Sequence, residues 1–128
     1  MNTRLSLTAR QAREWGNIHP MLQKVVLACL REWPVATMEV SCIYRTEAEN
    51  VAAGARTKVH VTKPHRAVDL RIRTLPGDFQ AKAYAVQDAV RPLFRYDPSR
   101  PHLQVVTAKP HGTGPHIHCQ VHPKTAKA

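Results

Sequence analysis

The chain has 128 residues and a formal net charge of +10, with 19 lysines and arginines against nine aspartates and glutamates. A hydrophobic content of 43% with 22% charged residues is typical of one globular domain and excludes a disordered chain. No apolar run reaches the roughly 20 residues that span a bilayer, and the three cysteines show no paired spacing, so a membrane protein and a disulfide scaffold are also excluded.

The N-terminal third is predicted to be helical. Residues 2–15 are expected to form a short helix with Thr8 as a possible N-cap. A clearer helix covers Pro20–Glu32, with proline at its first position and Pro34 just beyond its end. Its apolar residues recur at helical spacing and form one face for the core: Leu22, Val25, Val26, Cys29 and Leu30.

A strand and a short helix follow. Residues 37–45 alternate in the manner of a half-buried strand. The alternation places four side chains on its core face: Met38, Val40, Cys42 and Tyr44. Each of the three cysteines is expected to be a small buried hydrophobe. Thr46 and Glu49 then form a capping box, which predicts a short helix that ends at Gly54.

The second half of the chain is predicted to alternate strands with one long helix. The expected elements are a strand at 66–72, a helix at 79–91, strands at 102–107 and 116–121, and a frayed basic tail at 122–128. This order predicts one α+β domain over residues 1–128, with a small antiparallel-rich sheet and helices packed on one face.

The open face of that sheet is predicted to hold a metal. Period two in the strand at 66–72 places Asp69 opposite the apolar residues, and a buried carboxylate is costly unless it is paired or bound to metal. His116 and His118 share one face of the last strand, about 6.6 Å apart at the backbone, so their ring nitrogens can converge. An aspartate and a histidine pair on adjacent strands are plausible zinc ligands.

The third ligand is expected to be one of the two histidines shortly before Asp69, His60 or His65. In an extended strand His65 lies about 13 Å from Asp69, too far for both to reach one ion through bonds of about 2 Å. His60 precedes Lys63 and Pro64, where the chain can turn back. The spacing therefore favours His60 over His65.

Two motifs together resemble a known family. A histidine and a short loop lead to Arg-Ala-Val-Asp at residues 66–69, and His-Ile-His-Cys follows at residues 116–119. Over about residues 40–121 this pattern is similar to the zinc peptidases that act on peptidoglycan. That superfamily includes D-Ala-D-Ala carboxypeptidases, phage L-alanyl-D-glutamate endopeptidases and the metal-binding hedgehog domain.

The resemblance implies zinc-dependent hydrolysis of a peptide bond in peptidoglycan stem peptides. His60, Asp69 and His118 would bind one zinc ion per chain, with a fourth position left for water. Arg45 would bind a substrate carboxylate, and His116 would transfer the proton.

The sequence departs from that family in its general base. Many members carry an acidic residue just before the last zinc ligand, whereas the last carboxylate side chain here is Asp97. The proton could be moved by His116 or His111, or by a distant acid that folds into the site, Glu47 or Glu49. The missing acid also favours the alternative of a zinc-containing binding module without peptidase activity.

The net positive charge indicates which binding partners to expect. A strongly basic chain suits an anionic cell wall or membrane surface. No specific nucleic acid is expected, because aromatic residues are only 5% of the chain and no nucleic-acid motif is present. The N-terminus shows no signal peptide, so the expectation is a monomer made in the bacterial cytoplasm that reaches the wall after release, as phage endolysins do.

Overall fold

A five-stranded sheet with helices against one face organises the protein. A computed structural model describes residues 3–55, 60, 63–112 and 114–128. The strands are β1 (Arg4–Ser6), β2 (Thr37–Cys42), β3 (Ala67–Arg71), β4 (Phe94–Arg95), β5 (Val106–Lys109), β6 (His116–Gln120) and β7 (Ala126–Lys127). The helices are α1 (Ala9–Trp15), α2 (Pro20–Glu32), α3 (Glu47–Ala52) and α4 (Phe79–Val90), and a 3-10 turn at Arg91–Leu93 follows α4.

The main sheet has the strand order β1-β2-β3-β6-β5. β1 pairs in parallel with β2, while the β2–β3, β3–β6 and β5–β6 pairs are antiparallel. The α+β class is confirmed, but the sheet is mixed, which corrects the prediction of an antiparallel-rich sheet. The parallel strand lies within the predicted helix at 2–15, because Thr8 caps α1 and leaves residues 4–6 free to pair with β2.

The core lies between the sheet and the two long helices. α2 contacts α4, β3 and β6, and α4 also contacts β5 and β6. The predicted apolar face of α2 is confirmed, since Leu22, Val25, Val26 and Cys29 are fully buried. Burying one such aliphatic side chain contributes about 1.5–3 kcal/mol. Among the described residues, no helix combines the length and the apolar character needed to cross a bilayer.

The predicted ends of two strands and the predicted fraying of the C-terminal tail are wrong. The strand predicted at 37–45 ends at Cys42, and the one predicted at 102–107 begins only at Val106, after turns that contain Pro98 and Pro101. The C-terminal tail is not frayed, because β7 pairs with β4. The Thr125 hydroxyl also donates a hydrogen bond of 2.7 Å to a backbone carbonyl next to β4.

Candidate metal centre

Asp69 is the centre of the site. It lies in the middle of β3, where its register partners are Cys42 on β2 and His118 on β6. The residue is only 5% exposed, so its carboxylate depends on its neighbours for compensation. Its Oδ1 lies 2.7 Å from His118 Nδ1, and its Oδ2 lies 3.3 Å from His60 Nε2. Burial would raise the pKa of Asp69, but these hydrogen bonds hold that pKa well below its usual value.

His60 is fixed in one orientation by the backbone of the chain after β2. Its Nδ1–H donates a hydrogen bond of 2.9 Å to the Ile43 carbonyl, and its Nε2 therefore faces Asp69. Burial lowers the pKa of His60, but the hydrogen bonds and charges of Asp69 and Cys42 together outweigh burial and raise that pKa to about 10. The Asp69 carboxylate therefore favours a positive charge at His60 Nε2.

The two histidines of β6 are fixed in the same manner. His118 Nε2 lies 3.1 Å from Gln120 Oε1, and this N–H donor leaves Nδ1 directed at Asp69. His116 Nδ1–H donates a hydrogen bond of 2.8 Å to the Gly114 carbonyl, and its Nε2 lies 3.8 Å from Asp69 Oδ1. Each ring therefore commits one nitrogen to an oxygen acceptor and turns the other towards one carboxylate.

This convergence of ring nitrogens on one carboxylate favours a cation. As neutral rings, the three histidines would present ring nitrogen lone pairs to carboxylate oxygens, and such contacts are favourable only with a proton or a metal ion between them. Histidine ligands of metals characteristically donate their other N–H to an oxygen acceptor, which fixes the tautomer and the ring orientation. The donor set is therefore suited to a metal ion.

The possible ligands form two sets that share Asp69. One is Cys42, His60 and Asp69, and the other is Asp69, His116 and His118; within each set the ligand atoms lie within 4.8 Å of one another. These residues are placed to bind a metal ion. The predicted ligands His60, Asp69 and His118 all belong to these sets, and the identity of the ion and the choice of ligands stay predictions.

The spacing of the atoms can be compared with zinc geometry. Tetrahedral zinc with bonds of about 2 Å holds its nitrogen and oxygen ligands about 3.3 Å apart. The His60 Nε2–Asp69 Oδ2 distance of 3.3 Å matches this separation. The His118 Nδ1–Asp69 Oδ1 distance of 2.7 Å is a hydrogen-bond length and must open when an ion binds.

Cys42 is the site residue that the sequence pattern misplaces. Simple alternation puts it on the core face, but the β2–β3 register shifts between Val40 and Cys42 and turns Cys42 towards Asp69. Its Sγ lies 3.6 Å from His60 Nδ1, and Ile43 takes the core position instead, 1% exposed. The only signal in the sequence is Ile43 itself, a large apolar residue on a predicted polar face.

The other histidine and acid candidates lie elsewhere. His65 forms a backbone bridge with Ile18, and its ring packs on Tyr44 with centroids 4.8 Å apart. His111, in the loop after β5, has its Nδ1 3.3 Å from the side chain of Gln80 on α4. The Glu49 carboxylate is bound by the Arg10 guanidinium at 2.9 Å, which lowers the pKa of Glu49 to about 2.

A cleft of about 510 Å³ opens over the metal centre. Arg45 reaches into it, with Nη2 3.9 Å from Asp69 Oδ2, so the predicted substrate-binding arginine is beside the predicted ligands. The lining residues are Arg45, Asn50, Ala55, His60, Asp69, Thr107, Lys109, His116, His118 and Gln120. Within the described part of the chain, Asp69 is the only carboxylate that lines this cleft.

Comparison of the chain with protein-family models, curated proteins and solved structures found no match. The likeness to peptidoglycan peptidases therefore depends on the two motifs quoted above. What the structure adds is a cluster of side chains placed to bind a metal ion.

Proposed function

We propose that this chain is a zinc-dependent hydrolase that cleaves a peptide bond in the stem peptides of bacterial peptidoglycan. The observation that carries the proposal is the arrangement of His60, His116 and His118, each anchored through one nitrogen and turned towards Asp69 with the other. Zinc bound by such nitrogen and oxygen ligands supplies Lewis acidity towards a carbonyl and lowers the pKa of water.

Different residues of the cleft would bind the metal, transfer the proton and bind the substrate. His60, Asp69 and His118 would hold the ion, as the resemblance implies. His116 would accept the proton at Nε2, because its Nδ1–H is already bonded to the Gly114 carbonyl. Arg45 would bind a substrate carboxylate through its guanidinium.

The net charge supports a wall substrate. A charge of +10 draws the chain towards anionic polymers and anionic lipid surfaces. We propose that it acts as a monomer on the wall after release from the producing cell, in the manner of a phage endolysin.

A second candidate is a zinc-containing module that binds wall peptides without cleaving them. The observation that favours it is the lack of a second carboxylate among the described residues that line the cleft. The carboxylate of Glu49, one of the distant acids considered as a base, is bound by the Arg10 guanidinium and accepts a hydrogen bond from the Thr46 backbone N–H. Proton transfer then depends on histidine alone.

The deciding experiment measures zinc content and wall cleavage together. Zinc-loaded protein is incubated with purified peptidoglycan of several wall chemotypes, and the soluble fragments are analysed by mass spectrometry. The proposal expects about one zinc per chain and new peptide termini, both absent from His118→Ala. Zinc binding without cleavage supports the binding module, and a protein that takes up no zinc contradicts both candidates.

A further inference from the structure

We infer that the cleft binds a peptide with two anionic groups, one on each side of the metal centre, and that Lys109 binds the second of them. Arg45 binds the first. The inference rests on the proposed function for the position of the cleaved bond, but the binding of two anions can be tested without cleavage.

Lys109 lies on the same face of the sheet as the metal centre. Val106 and Ala108 of β5 are buried, so Thr107 and Lys109 lie on the open face. Register pairs place two rows across β3, β6 and β5: Asp69–His118–Thr107 and Arg71–His116–Lys109. Neighbouring rows on one face are about 6.6 Å apart along the strands. Lys109 is therefore one row away from the ion-binding carboxylate.

The charges of the cleft favour an anion. Arg45 and Lys109 line it against one carboxylate, Asp69, which a zinc ion would more than neutralise. In the same row as Lys109, Arg71 is paired with Glu39 at 3.7 Å, whereas no carboxylate of the described residues forms an ion pair with Lys109. The ammonium group is thus available to a ligand, and a cleft with this balance of charge concentrates anions.

The two cations lie on opposite sides of the centre. Arg45 follows β2, whereas Lys109 ends β5, and β3 and β6 lie between them. Strands are about 4.8 Å apart, so the two backbone positions are separated by at least about 14 Å across the sheet, which an extended peptide covers with about four or more residues. The ligand therefore passes over the metal instead of ending at it, which makes the cleaved bond an internal one.

The test uses N-acetylated Glu-Ala-Ala-Ala peptides, prepared with the L or the D form at each position. The central peptide bond is replaced by a reduced amide that cannot be hydrolysed, and the two anionic groups are the Glu side chain and the C-terminal carboxylate. Matched probes carry Gln for Glu, or a C-terminal amide. Binding to the zinc-loaded protein is measured by calorimetry at low salt and at high salt. Three variants are compared with the parent: Lys109→Met, Arg45→Met and the control Lys24→Met, an exposed lysine on α2.

We expect the peptide with two carboxylates to bind about tenfold more tightly than either singly charged probe, the usual scale for one hydrogen bond to a charged group. Lys109→Met should remove the discrimination at one end and Arg45→Met at the other, while Lys24→Met changes neither. Equal binding of all probes, or equal effects of Lys109→Met and Lys24→Met, overturns the inference. Charge-selective binding without wall cleavage would support the inference of two anion sites in the cleft and contradict the proposed hydrolase function.

Discussion

The two faces of β6 show how one strand serves stability and chemistry separately. Ile117 and Cys119 point into the core and are fully buried. His116, His118 and Gln120 point the other way, partly exposed, and interact through hydrogen bonds and charge. The core face packs against other buried residues, whereas the open face carries groups that are placed to bind a metal ion. Adjacent residues of β6 should therefore respond to mutation in unlike ways.

The largest expected effect is on the free energy of unfolding. Ile117→Ala should lower it by about 2–5 kcal/mol, because the substitution leaves a cavity in a packed core. The folded fraction should still gain thermal stability when zinc is added, since an ion that binds only the folded state stabilises it by mass action. Urea unfolding and melting curves with and without zinc measure both quantities.

His118→Ala is the matched neighbour of that variant. It should lose the zinc-dependent rise in melting temperature, whatever its stability without metal. A zinc response lost in Ile117→Ala and kept in His118→Ala would contradict the division of labour between the two faces.

The next effect sharpens the comparison within the open face. His116→Ala should retain zinc and lose about 10²-fold in wall hydrolysis, the usual contribution of a positioned proton-transfer group. Zinc content and hydrolysis rate are measured on the same preparation. Loss of zinc would make His116 a ligand, in the set that it forms with Asp69 and His118. Full activity would assign the proton transfer to another group.

Gln120 provides a smaller test of orientation. Gln120→Leu keeps the side-chain size but removes the oxygen that accepts the His118 Nε2–H. Such partners of metal-bound histidines are typically worth 10–100-fold in metal affinity, and we expect a loss in that range. Competition with a chromophoric chelator measures the affinity, and Gln104→Leu, outside the metal cleft, is the control. A loss of the same size in the control would refute a positioning role.

The smallest expected effect is that of His65→Ala, which is compared with His60→Ala, the other buried histidine before Asp69. His65→Ala should leave zinc affinity unchanged, because its ring packs on Tyr44. His60→Ala should weaken zinc binding strongly, because His60 Nε2 faces the Asp69 carboxylate. Metal retained by His60→Ala and lost by His65→Ala would reverse the assignment.

Much of the fold could be predicted because its signals are local. α2, α3 and α4 have N-caps, α2 and α4 also have periodic apolar residues, and buried and partly exposed residues alternate along the full length of β6. β1 could not be predicted, because three residues become a strand only through parallel pairing with β2, some thirty residues away. The pairing of β7 with β4 is equally non-local.

The site follows the same rule. Period two correctly places Asp69, His116 and His118 on one face, because β3 and β6 are regular where those residues lie. Cys42 is misplaced because the register of β2 against β3 shifts at that point, and alternation assumes a constant register. Strand spacing and the possible turn at Lys63 and Pro64 favour His60 over His65, but neither signal gives the 3.3 Å approach of His60 Nε2 to Asp69.

The pairing of β3 with β6 also determines when a metal can bind during folding. Asp69 and His118 are 49 positions apart in the chain, and α4, β4 and β5 must be accommodated between them before the two side chains meet. Closing so long a loop is a slow, non-local step. The proposed ligand set of His60, Asp69 and His118 is incomplete before that step, and an interaction that forms late changes mainly the unfolding rate. Zinc should therefore prolong the lifetime of the native state and leave the rate of refolding almost unchanged.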